Sequence, residues 1–169
     1  VYDFLNVAVD PKDANHYFVS SYGTGLYEFV GQKCVAHIIS SSDNTMGSAV
    51  KGVDSLYTRI DKATFDSVGN LWILNAGSVP YPIVCLDTNK TWHGLPIFIN
   101  NERRNLITPS GFVIDTFHPN YKWIANARVQ VEIILIDDNG TPFDSSDDRA
   151  IGRNNWTTQK GQLFTPETI

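Results

Sequence analysis

The chain has 169 residues, a net charge of −5 and a pI near 5.2, and 42% of it is hydrophobic against 18% charged. That length holds one well-buried domain and excludes a multidomain enzyme, and the composition excludes a disordered chain. The acidic balance argues against nucleic acid as a partner, no run approaches about 18 apolar residues, and Cys34 and Cys85 are too few for a disulfide scaffold or a zinc centre.

The chain opens Val1-Tyr2-Asp3 without a Met and closes Thr165-Pro166-Glu167-Thr168-Ile169, so it reads as a segment of a longer protein. Helix periodicity is weak throughout, whereas short β-branched and aromatic runs bracketed by turn residues are frequent. The first set is Val9-Asp10-Pro11, then Tyr17-Phe18-Val19, then Gly25-Leu26-Tyr27-Glu28-Phe29 before the turn Gly31-Gln32-Lys33. The second begins Leu56-Tyr57-Thr58-Arg59, continues through Phe65-Asp66-Ser67-Val68-Gly69-Asn70-Leu71-Trp72-Ile73, and reaches Ile83-Val84-Cys85-Leu86-Asp87. The third repeats the pattern as Leu106-Ile107-Thr108-Pro109, Phe117-His118-Pro119-Asn120-Tyr121-Lys122-Trp123-Ile124 and Glu132-Ile133-Ile134-Leu135-Ile136-Asp137. Leu163-Phe164-Thr165-Pro166 then starts the phrase again. Asn139-Gly140 is a hairpin signal, because both residues tolerate the positive φ of a type I′ turn.

The repeat is therefore about 50 to 57 residues long and holds three to four strands, the size of a four-stranded β-propeller blade. The expected fold is all-β: about three antiparallel blades of a larger β-propeller, over residues 1–44, 56–101 and 106–156, with 163–169 beginning a further blade. Its anchors are Phe18, Trp72 and Trp123 in the second strand, Asp66 in the turn before it, and Thr58, Thr108 and Thr165 at the start of each unit. His118 is expected to cap the turn that Asp66 caps. Leu71-Trp72-Ile73-Leu74 does not alternate with polar residues, which is expected of a strand covered on both faces. Three blades leave apolar faces open, so the expected partners are remaining blades of the same propeller or another copy of the chain. The alternative is a compact β-sandwich with accidental similarity between strands.

Asp66-Ser67-Val68-Gly69-Asn70-Leu71-Trp72-Ile73 and Tyr22-Gly23-Thr24-Gly25-Leu26-Tyr27 resemble the two-component-regulator propeller repeat common in Bacteroidota. The stretch from Ile136 to Arg149 is similar to PorZ-type propellers, accessory components of type IX secretion. Leu74-Asn75-Ala76-Gly77, Ala125-Asn126 and the missing Trp of the first unit depart from the sensor repeat and favour the PorZ-like branch. The resemblance implies a non-catalytic periplasmic or cell-surface propeller, either a ligand-sensing ectodomain or a secretion-associated scaffold, with no cofactor, no nucleic acid and a glycan or protein ligand.

Candidate chemistry is sparse. Asp137, Asp138, Asn139, Asp144, Asp147 and Asp148 could offer oxygen ligands to calcium, although the spacing is not that of an EF-hand, and turn capping explains the same residues. Tyr81, Trp92, His93 and Trp156 lie outside the repeat phrases and are candidates for stacking on a sugar, or for packing at a blade edge. Val79-Pro80-Tyr81-Pro82 reads as a stiff rim loop. His16, His37, His93 and His118 lack metal-site spacing. Cys34 and Cys85 read as two thiols, with an inter-blade disulfide as the alternative. The sequons at Asn89, Asn139 and Asn155 are incidental in a bacterium. No nucleophile motif is present, so no catalytic residue is assigned. The alternative is a glycan hydrolase or lyase with carboxylates at the central channel.

Overall fold

The computed structural model describes residues 3–41, 44–50, 57–78, 81–128, 131–157 and 159–164, and these contain strands and turns but no helix. Three antiparallel meanders of four strands follow one another. The first is β1 (Phe4–Asp10), β2 (Asp13–Gly23), β3 (Gly25–Val30) and β4 (Lys33–Ile38). The second is β5 (Thr58–Phe65), β6 (Leu71–Ala76), β7 (Ile83–Leu86) and β8 (Trp92–Leu95). A hairpin of β9 (Ile97–Ile99) and β10 (Glu102–Arg104) leads to the third: β11 (Pro109–Ile114), β12 (Tyr121–Asn126), β13 (Glu132–Asp137) and β14 (Arg149–Arg153). A short ladder of β15 (Trp156–Thr157) and β16 (Leu163–Phe164) follows. Residues 165–169, including Thr165, lie outside the described residues.

The fold is all-β, and the meanders are propeller blades stacked face on face. Blades one and two join where β2 outruns β1, so that Tyr22 and Gly23 pair with Arg59 and Thr58 of β5. Their first strands are tied by Asn6, whose side-chain oxygen accepts the Ala63 backbone N–H at 2.8 Å. Blade two is tied to the linker into blade three by the Gly77 N–H, which donates to the Leu106 carbonyl at 2.6 Å. The tight turn between β2 and β3 requires Gly25: its φ is +81°, and a Cβ there would collide with the Ile38 carbonyl.

Facing directions follow from register, since side chains directly opposite across a ladder share a face. Ala63, Ile73 and Val84 lie on one face of blade two and pack with Ala8 and Phe18 of blade one. Trp72, Leu74, Ile83 and Cys85 lie on the other and pack with Phe112, Ile124, Ile134 and Ile136 of blade three. Every residue of β6 and β7 is therefore buried, while β12 and β13 alternate. The unbroken apolar run around Trp72 belongs to the middle layer of the stack.

Trp72 and Trp123 occupy the same register position. Trp72 sits opposite Thr64 and Cys85, and Trp123 opposite Val113 and Leu135. Phe18, opposite Ala8 and Glu28, holds that position in blade one. Trp72 is 1% exposed and Trp123 is 39% exposed. The difference arises because blade three covers the first and no described residue covers the second in this way.

Candidate functional site

A recess lies between the turns of blades two and three, a cavity of about 340 Å³ walled by Phe65, Val68, Trp72, Ile114, Pro119 and Pro142 together with polar groups. Its volume falls in the range of small-ligand sites. Asp66 organises one side. Its carboxylate accepts the N–H groups of Val68, Gly69 and Asn70 at 3.0, 2.8 and 2.8 Å, the Asn70 side-chain amide at 2.7 Å and the Trp72 indole at 2.9 Å. This fixes both the turn and the ring, because an Asp in that place satisfies donors a tight turn would otherwise leave unmatched.

Lys122 forms the other side. It projects from β12 into the interface, almost wholly buried, and its ammonium pairs with the Asp138 carboxylate while lying 4.4 Å from the centre of the Trp72 ring. A buried ammonium is tolerated only with such partners. Asp138 also accepts the Gly140 N–H at 2.9 Å, so both of its oxygens are used. Sequence reasoning missed Lys122. Its signal was a lone cation in an otherwise apolar phrase, at the position where blade two has Leu71 and blade one has Tyr17.

The loop after β13 closes the interface further out. Asn139 and Gly140 have φ of +53° and +85°, and the Thr141 N–H donates to the Asp138 carbonyl at 2.8 Å, so the expected turn forms. It does not lead directly into β14, as the hairpin signal implied. The chain continues to Asp148, and Phe143 stacks on His93 at 4.2 Å and on Trp72 at 6.3 Å. Pro142 has no N–H for a ladder, and the Phe143 ring finds its apolar surface on blade two.

The remaining candidates divide between interfaces and turns. The His93 Nε2–H donates to the Asp87 carboxylate at 3.0 Å, and this bond, with those from the Thr91 and Asn89 N–H groups, holds Asp87 below the usual carboxylate range. Tyr81 packs over Gly94, and Tyr81 and Trp92 both border the core shared with blade one. Trp156 lies on β15. Thr58 accepts the Ser40 N–H at 2.8 Å, and Thr108 donates to the Ala127 carbonyl. Val79 and Pro80 fall outside the described residues.

Of the calcium candidates, Asn139 and Asp147 are hydrogen-bonded to each other at 3.1 Å, and Asp137, Asp138 and Asp144 serve turn amides. Asp137 accepts the Asn139 N–H, Asp144 the Ser146 N–H, and Asp147 bonds to Thr141 and Asn139. Hydrogen bonds from Thr141 and Asn139 hold Asp147 below its ordinary range, while burial pushes Asp148 up to about 6. Among the described residues no three His, Cys, Asp or Glu side chains converge as a metal site would require. Asp61, raised by burial to about 6, lies on β5, away from this loop in the chain. Cys34 is exposed and Cys85 is buried, both as free thiols, and burial pushes the Cys85 thiol well up.

Two findings revise the reading of the turns. His118 does not cap; Asp115 does, accepting the Phe117 and His118 N–H groups at 2.8 and 3.0 Å and the Trp123 indole at 3.3 Å. From aspartate to Trp the turn in blade three is two residues longer than that in blade two, so matching Phe65-Asp66 with Phe117-His118 points past the residue that caps. In blade one, Asp10 bonds to His16 at 2.9 Å, and the other ring nitrogen of His16 lies 2.8 Å from Glu28.

No protein-family model matches the chain, the two-component-regulator propeller included, and no curated protein matches it. Among solved structures the chain is similar to PorZ, an essential bacterial surface component of the type IX secretion system of the oral bacterium Porphyromonas gingivalis. The TM-score is 0.74 and the identity 27%, over 94% of this chain and 20% of PorZ. The chain thus spans about one fifth of the length of that neighbour.

Proposed function

We propose that the chain is a non-catalytic blade assembly of an extracytoplasmic, secretion-associated protein, a rigid frame whose rim loops and inter-blade recess contact a ligand or protein partner. The observation that carries this reading is the likeness to PorZ across nearly the whole chain at 27% identity. The chemistry of the recess supports it. Asp66 is engaged by turn amides, Asn70 and Trp72, and Asp138 by Lys122 and the Gly140 amide. A general acid or base needs a group free to exchange a proton with a substrate. The wall is apolar around fixed polar points, which suits recognition. A ligand-sensing role remains a finer form of the same proposal.

The experiment is deletion of the gene in its native host, with secreted type IX cargo quantified in the medium and the protein located by protease shaving of intact cells. Cargo retained in the deletion strain and protease-accessible protein are expected. Normal secretion, together with glycan-degrading activity of the purified chain, would overturn the proposal in favour of a propeller enzyme.

A further inference from the structure

The turn between the first and second strands is built the same way in each blade. An aspartate accepts the N–H of the residue two positions on: Asp10 that of Lys12 at 2.8 Å, Asp66 that of Val68 at 3.0 Å and Asp115 that of Phe117 at 2.8 Å. Counted from the aspartate, Lys12, Val68 and Phe117 are therefore equivalent. Between blades one and two this residue bridges the turns. Lys12 crosses to blade two, where its stem lies against Gly69 and its ammonium donates to the Val68 carbonyl at 2.6 Å. Between blades two and three the residue in the same place is Val68, whose short uncharged side chain cannot make that crossing. The recess of about 340 Å³ lies there, with Val68 in its wall. Both of its walls belong to described residues of blades two and three.

We propose that this recess takes a lysine side chain presented by a protein partner, as the turn of blade two takes Lys12. The occupant is named for the recess of the non-catalytic frame, and rests on that reading. Phe65, Ile114 and Pro119 offer an apolar wall to a methylene stem, which a lysine buries readily while its head stays polar. Charge selects the head. Three carboxylates border the recess, Asp66, Asp115 and Asp138, against one ammonium, Lys122, which Asp138 already matches. Neutral amides fix Asp66 and Asp115 without cancelling their charge. The His118 and Phe117 amides also hold Asp115 below the usual carboxylate range, so it stays ionised. The other basic group beside Asp115 is His118, 3.8 Å away and largely exposed. A cation on an apolar stem meets both wall and charge, whereas a phosphate or an acidic glycan would be repelled.

Titration of the full chain with capped peptides, followed by nitrogen-edited NMR, tests it. The probes are Gly-Lys-Gly, Gly-norleucine-Gly and Gly-Glu-Gly. The lysyl peptide should shift the Trp72 indole and the amides of the two turns saturably, with a Kd on the order of 1 mM for a single side chain. The norleucyl peptide has the stem without the charge and should bind at least about tenfold more weakly, and the glutamyl peptide should not bind. Val68→Lys supplies the ammonium from within the chain and should weaken the lysyl peptide at least about tenfold. Its amide spectrum checks that it folds, and the three peptides on the wild-type chain decide the matter if it does not. No saturable shift with the lysyl peptide, equal binding of the norleucyl or glutamyl peptide, shifts that miss these turns, or undiminished binding by folded Val68→Lys would each overturn the proposal. Normal secretion in the deletion strain with lysyl binding intact would count against the scaffold reading alone, and retained cargo without lysyl binding against this inference alone.

Discussion

Asp66→Ala tests what the stacking of blades does for a turn. The substitution leaves the Trp72 indole N–H, at 1% exposure, and the amide of the buried Asn70 without their acceptor, along with three turn N–H groups. A buried donor left unmatched costs about 1–3 kcal/mol, and bonds to a charged acceptor contribute about 1.5–3 kcal/mol each but do not add. A total loss of about 3 kcal/mol follows, since the turn amides recover water once the carboxylate is gone. For a chain of this size that lowers the melting temperature by about 6–12 °C. Asp115→Ala removes the same cap from blade three, where Phe117 and His118 are exposed and Trp123 is partly so. Water replaces the lost acceptor there, and the shift should be much smaller. Urea and thermal melts followed by circular dichroism give both numbers. Equal losses in the two variants would refute the claim that coverage by blade three, and not the turn itself, sets the cost.

Lys122→Met leaves Asp138 buried without its cation and should cost about 3–5 kcal/mol, while Lys122→Met with Asp138→Asn should recover much of it in a double-mutant cycle. His16 has its pKa raised: burial opposes its charge, but the bonds to Asp10 and Glu28 outweigh it. Its contribution is complete below the unfolded value near 6.5 and is lost as pH rises through the higher folded value. Urea midpoints of the wild type should therefore decline from pH 6 upward, and those of His16→Gln should decline less. Asp148 works in the same sense in a lower window: its folded value of about 6 lies above the unfolded one, so its contribution to stability falls as pH rises from about 4 to 6. Asp148→Asn should reduce the slope in that window, to which Asp61 also contributes, and be the more stable protein at pH 7. A thiol-reactive dye should label Cys34 alone in the folded chain and Cys85 as well in denaturant.

The strands and their repeat were legible because they depend on local chemistry: β-branched runs, turn residues and a recurring Trp at one register position. Burial of both faces at Leu71–Leu74 was legible for the same reason, since a strand without polar alternation has no solvent side. The inter-blade contacts were not. Lys122 reads as a surface lysine until Trp72 and Asp138 are known to surround it, and these are distant in sequence. Phe143 belongs to an acidic stretch that invites a cation, yet its ring is what fixes the loop, on His93 of another blade. Tyr81, Trp92 and His93 are aromatic residues outside the repeat, and that position is what places them at blade borders. Aromatic composition alone cannot separate a sugar platform from a packing surface, because both require a ring with one polar edge.

The three turns show that the recurring element is a bond and not a residue. In blade two a carboxylate fixes an indole N–H from six positions away, Asp66 to Trp72; in blade three it does so from eight, Asp115 to Trp123. Blade one also has eight positions between Asp10 and Phe18, but a phenyl ring has no donor. The same face two residues earlier carries His16, and its imidazole takes the place of the indole at Asp10. A second carboxylate, Glu28, occupies the position opposite Phe18 and holds the other nitrogen. An aromatic ring tethered by its N–H to the turn therefore appears in all three blades, although only two contain Trp at that position. The exchange alters one physical property. An indole N–H is insensitive to pH, whereas an imidazole held by two carboxylates is charged only while it keeps both protons. Blade one thus has a turn whose strength varies across the physiological range. Replacing His16 with Gln should reduce that variation while leaving the strand register intact.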